Sequence, residues 1–172
     1  LTIDQIVDNA VENSVPSVAL TDKSNMFGLV KFFNKCESAG IKPISGSSIR
    51  LIFEDDDVSY ELLCLAKTNN GHRNLMKIIS NAHNNNSFNL PIIKFNDLIK
   101  LKDDIVVISG GKGSHIFEYL KLGNTSEAIS RIDNFRNHFA DDFVIDIQMT
   151  NRLDEAEYIK NVLSISNDKG IP

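Results

Sequence analysis

Apolar positions along this chain follow two rhythms that alternate, one at helical spacing and one extended. Thr2-Ile3-Asp4-Gln5 has the spacing of a capping box, with Thr2 as N-cap and Gln5 three residues on. Ile6, Val7, Ala10 and Val11 then line one helix face. Val18-Ala19-Leu20 reads as a short buried strand. Leu29, Val30, Phe33 and Cys36 predict a helix over 26–36, with Gly40 as the left-handed residue that ends it. A strand is expected over 41–44, then a hairpin of 49–53 and 58–66 around the acidic run Glu54-Asp55-Asp56-Asp57. Leu75, Met76, Ile78, Ile79 and Ala82 predict a helix over 70–83, closed by the polar loop 84–87. Asn96 is expected to cap a short turn through Lys100. A buried strand follows at 105–108. Helices over 115–122 and 125–138 are broken by Gly123. A strand at 143–147 and a helix over 154–169 complete the pattern.

Strands that alternate with helices favour an α/β layered fold or a (β/α) barrel with parallel strands. The strands at Val18, Ile44, Leu63, Val106 and Ile145 are expected in one sheet with their C-terminal ends on the same side. At 172 residues the chain is long enough for one domain with a sizeable core, and 42% apolar against 24% charged residues is a globular balance. A formal net charge of -5 argues against this segment alone gripping a phosphate backbone, which needs clustered Lys and Arg. Cys36 and Cys64 each sit inside an apolar run, as small core residues and not as a disulfide framework, so a reducing cytoplasm is expected. No apolar run approaches the roughly 18 residues that span a bilayer, so no membrane role is expected.

Candidate chemistry is sparse. His72, His83, His115 and His138 lack the spacing of metal ligands and read as surface or capping residues. The acidic run at 54–57 reads as a solvated turn. The segment Ser109-Gly110-Gly111-Lys112-Gly113-Ser114 follows a strand and precedes a helix, a place where backbone N–H groups can cradle phosphate, but it lacks the P-loop spacing. Asp22 ends a buried strand, where barrels place their functional groups. The simpler expectation is that Asp22 or Ser24 caps the next helix.

Several blocks in order carry a family resemblance. Ala19-Leu20-Thr21-Asp22-Lys23-Ser24-Asn25-Met26-Phe27-Gly28 and Ala39-Gly40-Ile41-Lys42-Pro43-Ile44-Ser45-Gly46 resemble the PHP (polymerase and histidinol phosphatase) domain of the alpha subunit of bacterial DNA polymerase III. Leu65 through Ser80, with its Gly71-His72-Arg73-Asn74-Leu75 core, and Val107-Ile108-Ser109-Gly110-Gly111 resemble later blocks of that family. The resemblance implies a distorted (β/α)7 barrel. Residues 1–172 are expected to be a single fragment of it, incomplete at both ends: the first and last metal-motif strands are expected outside the chain, before Leu1 and after Pro172.

Active members of the family hold metal ions at the strand ends and use them to activate water for phosphoester hydrolysis. The resemblance implies five metal-site positions in this chain: Asp22, Lys23, Ser48, Glu61 and Gly111. Only Asp22 matches. Lys23 stands where a His is usual, and a protonated ammonium cannot ligate. Gly46-Ser47-Ser48 lacks the usual Glu, Glu61 stands where a His is common, and Gly111 stands for a Cys. The expectation is a degenerate scaffold with no metal, no cofactor and no catalytic residue, with Lys23 beside Asp22 and Glu61 in the place of a cation. The implied partners are the other domains of the polymerase and its proofreading exonuclease subunit, with DNA bound by the larger protein. The alternatives are a metal-dependent phosphoesterase with exonuclease or pyrophosphatase activity and a free-standing phosphatase of the histidinol phosphatase kind.

Overall fold

The computed structural model describes residues 1–84, 90–150 and 155–172. Helix α1 (Ile3–Glu12) opens on the Thr2–Gln5 capping box, with both reciprocal hydrogen bonds formed. Strand β1 (Ser17–Leu20), helix α2 (Leu29–Ser38) and strand β2 (Lys42–Ile52) follow. Next come β3 (Tyr60–Ala66), α3 (Asn69–Asn84), β4 (Ile92–Lys94), α4 (Phe95–Ile99) and β5 (Ile105–Ile108). Helices α5 (His115–Lys121) and α6 (Thr125–Phe139), strand β6 (Phe143–Val144) and helix α7 (Glu155–Lys169) complete the order.

The six strands form one sheet in the order β1-β2-β3-β5-β6, with β4 paired to β2. The expected runs 41–44 and 49–53 are one continuous strand, because Gly46, Ser47 and Ser48 are small enough to pass through the middle of the sheet extended. One edge of β2 pairs with β3 from Gly46 to Leu51. β1 pairs with Lys42–Ser45, its extension reaches a bridge between Lys23 and Ser48, and β4 then pairs with Arg50–Ile52. The expectation of parallel strands throughout is corrected at one place. β3, the strand of Leu63, runs antiparallel to both β2 and β5, whereas β1–β2 and β5–β6 are parallel. The short link after β2 forces this, since two strands joined by a few residues can only pair head to tail. Ile145 lies just past β6, where its N–H donates to the Pro172 carbonyl at 2.9 Å.

Two apolar clusters sit against this sheet. A small one gathers Val7, Ala10, Leu20, Phe32, Cys36 and Ile41 beneath α1 and α2. A large one is centred on Phe135, fully buried, whose ring stacks on Phe143 at 5.1 Å and on His115 at 5.3 Å and meets Phe95 edge-on at 5.2 Å. Cys36 and Cys64 are buried and unbonded, as expected, and burial pushes the Cys64 thiol up to about 12.

Four local expectations change. The acidic run is a turn with Glu54, Asp55 and Asp57 exposed, as expected, but it is also anchored: Asp55 takes two hydrogen bonds from the Arg131 guanidinium at 3.0 Å each, and Asp56 takes one at 3.1 Å. The Arg131 side chain is only 6% exposed, lies over the Phe53 ring at 4.2 Å and also pairs with Glu127, so the hairpin end is clamped onto α6. The Arg131 hydrogen bonds hold the Asp55 carboxyl below its ordinary value, while burial raises that of Asp56. Asn96 is no cap; its N–H donates to Glu54, and Lys94 stands at the N-cap of α4. Asn84 is the last residue of α3, and the rest of the expected loop, 85–87, lies outside the described residues, as does Asp154.

His115 is the fourth correction. It is neither exposed nor a cap but fully buried among Phe53, Tyr60 and Phe135, and neither ring nitrogen has a hydrogen-bond partner among the described residues. Burial, with the Arg131 charge nearby, pushes its pKa down to about 3. The unfolded chain takes up that proton near 6.5 and the folded chain only near 3. The stability tied to neutral His115 is therefore complete above about pH 6.5 and is lost progressively as pH falls toward about 3. We expect His115→Phe to flatten this dependence. In urea melts at about pH 7 and about pH 4.5, the wild type should lose on the order of 1–3 kcal/mol more than the variant. Parallel losses would show that His115 does not govern acid unfolding.

Candidate functional site

β1, β2 and β5 point their C-terminal ends the same way, and antiparallel β3 begins at that end. This is how Glu61, the second residue of β3, arrives beside Lys23, which follows β1. The Lys23 ammonium lies 2.7 Å from Glu61 Oε1, with the lysine side chain 77% exposed and the glutamate 33%. Lys23 is held there by its backbone: Ser24 N–H donates to the Ser48 carbonyl at 2.8 Å and Ser48 N–H to the Asp22 carbonyl at 3.2 Å. Ser47, fully buried, donates its hydroxyl to the same Asp22 carbonyl at 2.8 Å.

The structure does not draw Asp22 into the pair. Its carboxylate faces Gly28, where an added Cβ would lie 3.2 Å from Asp22 Oδ2. Nor does Asp22 or Ser24 cap α2, whose N-cap is Gly28 with no side-chain cap bond. Ser48 contributes through its backbone bridge to Lys23.

The glycine segment after β5 is closed over the same end. Gly110 is left-handed (φ 81°), and an added Cβ would meet the Glu61 carbonyl oxygen at 2.4 Å. Gly113 admits the Glu61 side chain, which would stand 3.0 Å from a Cβ there. Gly111 (φ 54°) makes room for Gln148, whose carboxamide carbon would be 2.4 Å from a Cβ, and Gln148 in turn donates to Asp146 at 2.7 Å. Ser109 Oγ accepts from Asp146 N–H at 2.9 Å, and Ser114 caps α5 by accepting from Phe117 N–H at 3.2 Å. These bonds occupy the side chains of Ser109 and Ser114. Lys112 pairs with buried Glu155 at 3.2 Å, and Glu155 also accepts from Thr150.

Of the five positions, then, Lys23 touches Glu61 and bridges to Ser48, Gly111 lies against Gln148, and Asp22 turns aside. Gln148 completes this end and was not foreseen, and Gly110 and Gly113, singled out only as part of a possible phosphate cradle, seat Glu61. Glycine after a strand is too common a signal, and the tie from Gln148 to Gly111 leaves no trace in the local sequence. Two other histidines serve the frame: His72 Nδ1 lies 3.0 Å from Ser45 Oγ, and His83 Nε2 lies 2.8 Å from the Ser24 carbonyl.

The sequence pattern of the PHP domain matches residues 1–150. The chain belongs to the PHP domain family. Curated relatives called DNA polymerase III subunit alpha include those of Vibrio cholerae (32% identical over 169 residues), Pasteurella multocida (31% over 168) and Escherichia coli strain K12 (31% over 170). Each match covers 97% of this chain but only 14% to 15% of the relative. Among solved structures, a provisionally assigned metal-dependent phosphoesterase from Bifidobacterium adolescentis aligns with a TM-score of 0.51 at 11% identity, covering 95% of this chain and 91% of its own. That likeness shows the fold, a mixed α/β sheet consistent with a distorted (β/α) barrel.

The metal centre implied by the resemblance can be tested against this end of the sheet. Among the described residues no three His, Cys, Asp or Glu side chains converge to hold a metal ion. Glu61, the carboxylate at the right place, has an ammonium on it, and the space beside Gly111 is filled by an amide. A divalent ion needs several converging oxygen, nitrogen or sulfur donors, so these residues do not fit one.

The glycine seats predict an order of costs. Gly110→Ala meets backbone, which cannot yield, in a left-handed conformation, and should cost about 2–4 kcal/mol in denaturant melts. Gly111→Ala meets the end of a flexible side chain and should cost less, with Gln148→Ala recovering part of the loss in a double-mutant cycle. Equal costs, or no recovery, would mean that Gln148 does not fill the place beside Gly111. The Lys23–Glu61 pair is mostly in solvent, so Lys23→Met should cost no more than about 1 kcal/mol, shrinking in about 1 M salt.

Proposed function

We propose that this chain is the PHP portion of an alpha subunit of bacterial DNA polymerase III, one domain over 1–172, that serves as a catalytically silent scaffold in the cytoplasm. In this reading it packs against the other domains of the polymerase and docks the proofreading exonuclease subunit. DNA is bound by the larger protein and not by this acidic segment alone. The family match and the relatives' names support the placement. The observation that carries the silent reading is the Lys23 ammonium on Glu61 at 2.7 Å, at the end of the sheet where metal-using relatives are expected to gather their ligands.

The chemical argument is one of charge. Metal-assisted phosphoester hydrolysis needs an ion that lowers the pKa of a bound water and neutralises charge developing on phosphate oxygens. A lysine fixes one positive charge and cannot coordinate a water as a Lewis acid does. What it supplies is compensation for a carboxylate, which is a structural service. Charge alone would let this end attract an anion, but the cation is already committed to Glu61.

We expect the purified chain, dialysed against Zn²⁺ or Mn²⁺ and then against buffer, to retain well under one metal per chain by elemental analysis. It should leave bis-p-nitrophenyl phosphate unhydrolysed. Stoichiometric metal together with turnover that is lost in Glu61→Gln would replace the scaffold reading with that of a phosphoesterase.

A further inference from the structure

Beside the polar end of the sheet, a groove of about 650 Å³ separates the segment after β1 from the C-terminal half of α3. Its walls include Asn25, Phe27, Met76, Ile79 and His83. Phe27 is 92% exposed and Met76 43%. A single exposed apolar side chain is ordinary. What sets Phe27 apart is how firmly its backbone is held. Asn25 Oδ1 accepts from Phe27 N–H at 3.1 Å, and Asn25 Nδ2 donates to the Lys23 carbonyl at 2.9 Å. Ser24 is buried in a left-handed conformation (φ 51°), a costly state for serine, and is tied through its N–H to Ser48 and through its carbonyl to the His83 ring. The segment spends its polar groups on presenting a phenylalanine to water. Such rigid presentation lowers the entropic cost of binding something.

Charge says what that something is. The chain as a whole carries a net charge of -5, yet α3 contains no Asp or Glu over its 16 residues. At helical spacing, Arg73 and Lys77 form the stripe next to Met76 and Ser80. Both are exposed, and neither has an ion pair among the described residues. The groove therefore has apolar side chains standing at its edges, Phe27 and Met76, and a cationic bank beside Met76 on a molecule of net negative charge. We infer that it docks a peptide segment of a partner protein in which acidic residues flank one or two large apolar side chains. The apolar residues would cover Phe27 and Met76 and supply most of the affinity, and the carboxylates would meet Arg73 and Lys77 at the rim and set orientation and association rate. Two rim cations on an acidic chain are too few to neutralise a nucleic-acid backbone, which makes nucleic acid the poorer fit. The inference rests on reading the chain as a binding module and not on the absence of a metal, so metal analysis and peptide binding can fail separately.

Fluorescence anisotropy with a fluorescein-labelled peptide, aspartates flanking a central Leu-Phe pair, tests it on the full chain. We expect saturable binding that weakens at least about tenfold in Phe27→Ser and in the Arg73→Glu/Lys77→Glu double variant. A peptide with lysines in place of the aspartates should bind at least about tenfold more weakly. Phe27 projects into solvent, so Phe27→Ser should melt at the wild-type temperature, which separates lost binding from lost fold. No binding of the aspartate peptide, equal binding of the lysine peptide, or indifference to Phe27→Ser would overturn the inference. So would tighter binding of a labelled oligothymidylate, which would assign the groove to single-stranded nucleic acid. Self-association in sedimentation that Phe27→Ser abolishes would likewise overturn it, by assigning the groove to a second copy of the chain.

Discussion

Everything in this molecule hangs on β2. Eleven residues run extended through the middle of the sheet and give one edge to β3 and the other to β1 and then β4. The two apolar clusters lie along this strand: one with α1, β1 and α2 at its start, the other with α3, α5 and α6 behind its far half. The requirement is steric as much as it is hydrogen bonding. At Gly46 an added Cβ would stand 2.6 Å from the Leu65 side chain, 2.8 Å from Thr21 and 3.0 Å from the Cys64 carbonyl. Three strands therefore approach at a point where no side chain fits. One residue on, buried Ser47 fixes the Asp22 carbonyl and with it the turn that carries Lys23.

The reversal of β3 follows from the same strand and has a functional consequence. A parallel β3 would have started at the opposite end of the sheet and carried Glu61 away from Lys23. Running antiparallel, it begins where β1 and β5 end. The hairpin that permits the reversal carries three consecutive aspartates, whose repulsion would loosen a free turn. Arg131 removes that penalty by taking Asp55 and Asp56 together while covering Phe53. A residue on α6 thus fixes the end of a hairpin that in turn fixes the position of Glu61.

Much of the frame was legible from the residues because it is written locally. The Thr2–Gln5 box, the helices α1 and α3 and the buried run at 105–108 each need only near neighbours, and they formed, although Val11 and Met76, expected on the apolar faces, are exposed. What was hidden depends on distant partners. Arg131 sits 75 and 76 residues from the aspartates it binds, so an acidic turn read alone gives no sign of its anchor. His115 looks like any helix-end histidine until α6 and β3 wall it in. The five site positions were legible only through family resemblance, and the split among them was not: nothing near Asp22 announces that its carboxylate turns toward Gly28 while the next side chain reaches Glu61.

On the proposed scaffold reading, the charge pattern at the end of the sheet takes the place of a metal ring. Converging carboxylates repel each other, and in an active relative the ions neutralise that repulsion. Here Glu61 has Lys23 at 2.7 Å, Glu155 has Lys112 at 3.2 Å, and Asp22 lies apart. Glu61 and Glu155 thus each carry a cation supplied by the chain, and Asp146 takes the Gln148 amide. The exposed pair at Lys23 contributes little to stability, and the buried pair at Glu155 is costly to break but cheap to keep. The space beside Gly111 is taken by Gln148 and that beside Gly110 by the Glu61 carbonyl. On that reading this end of the sheet needs no solvent metal, and beside it the backbone that holds Lys23 in place also holds Phe27 out.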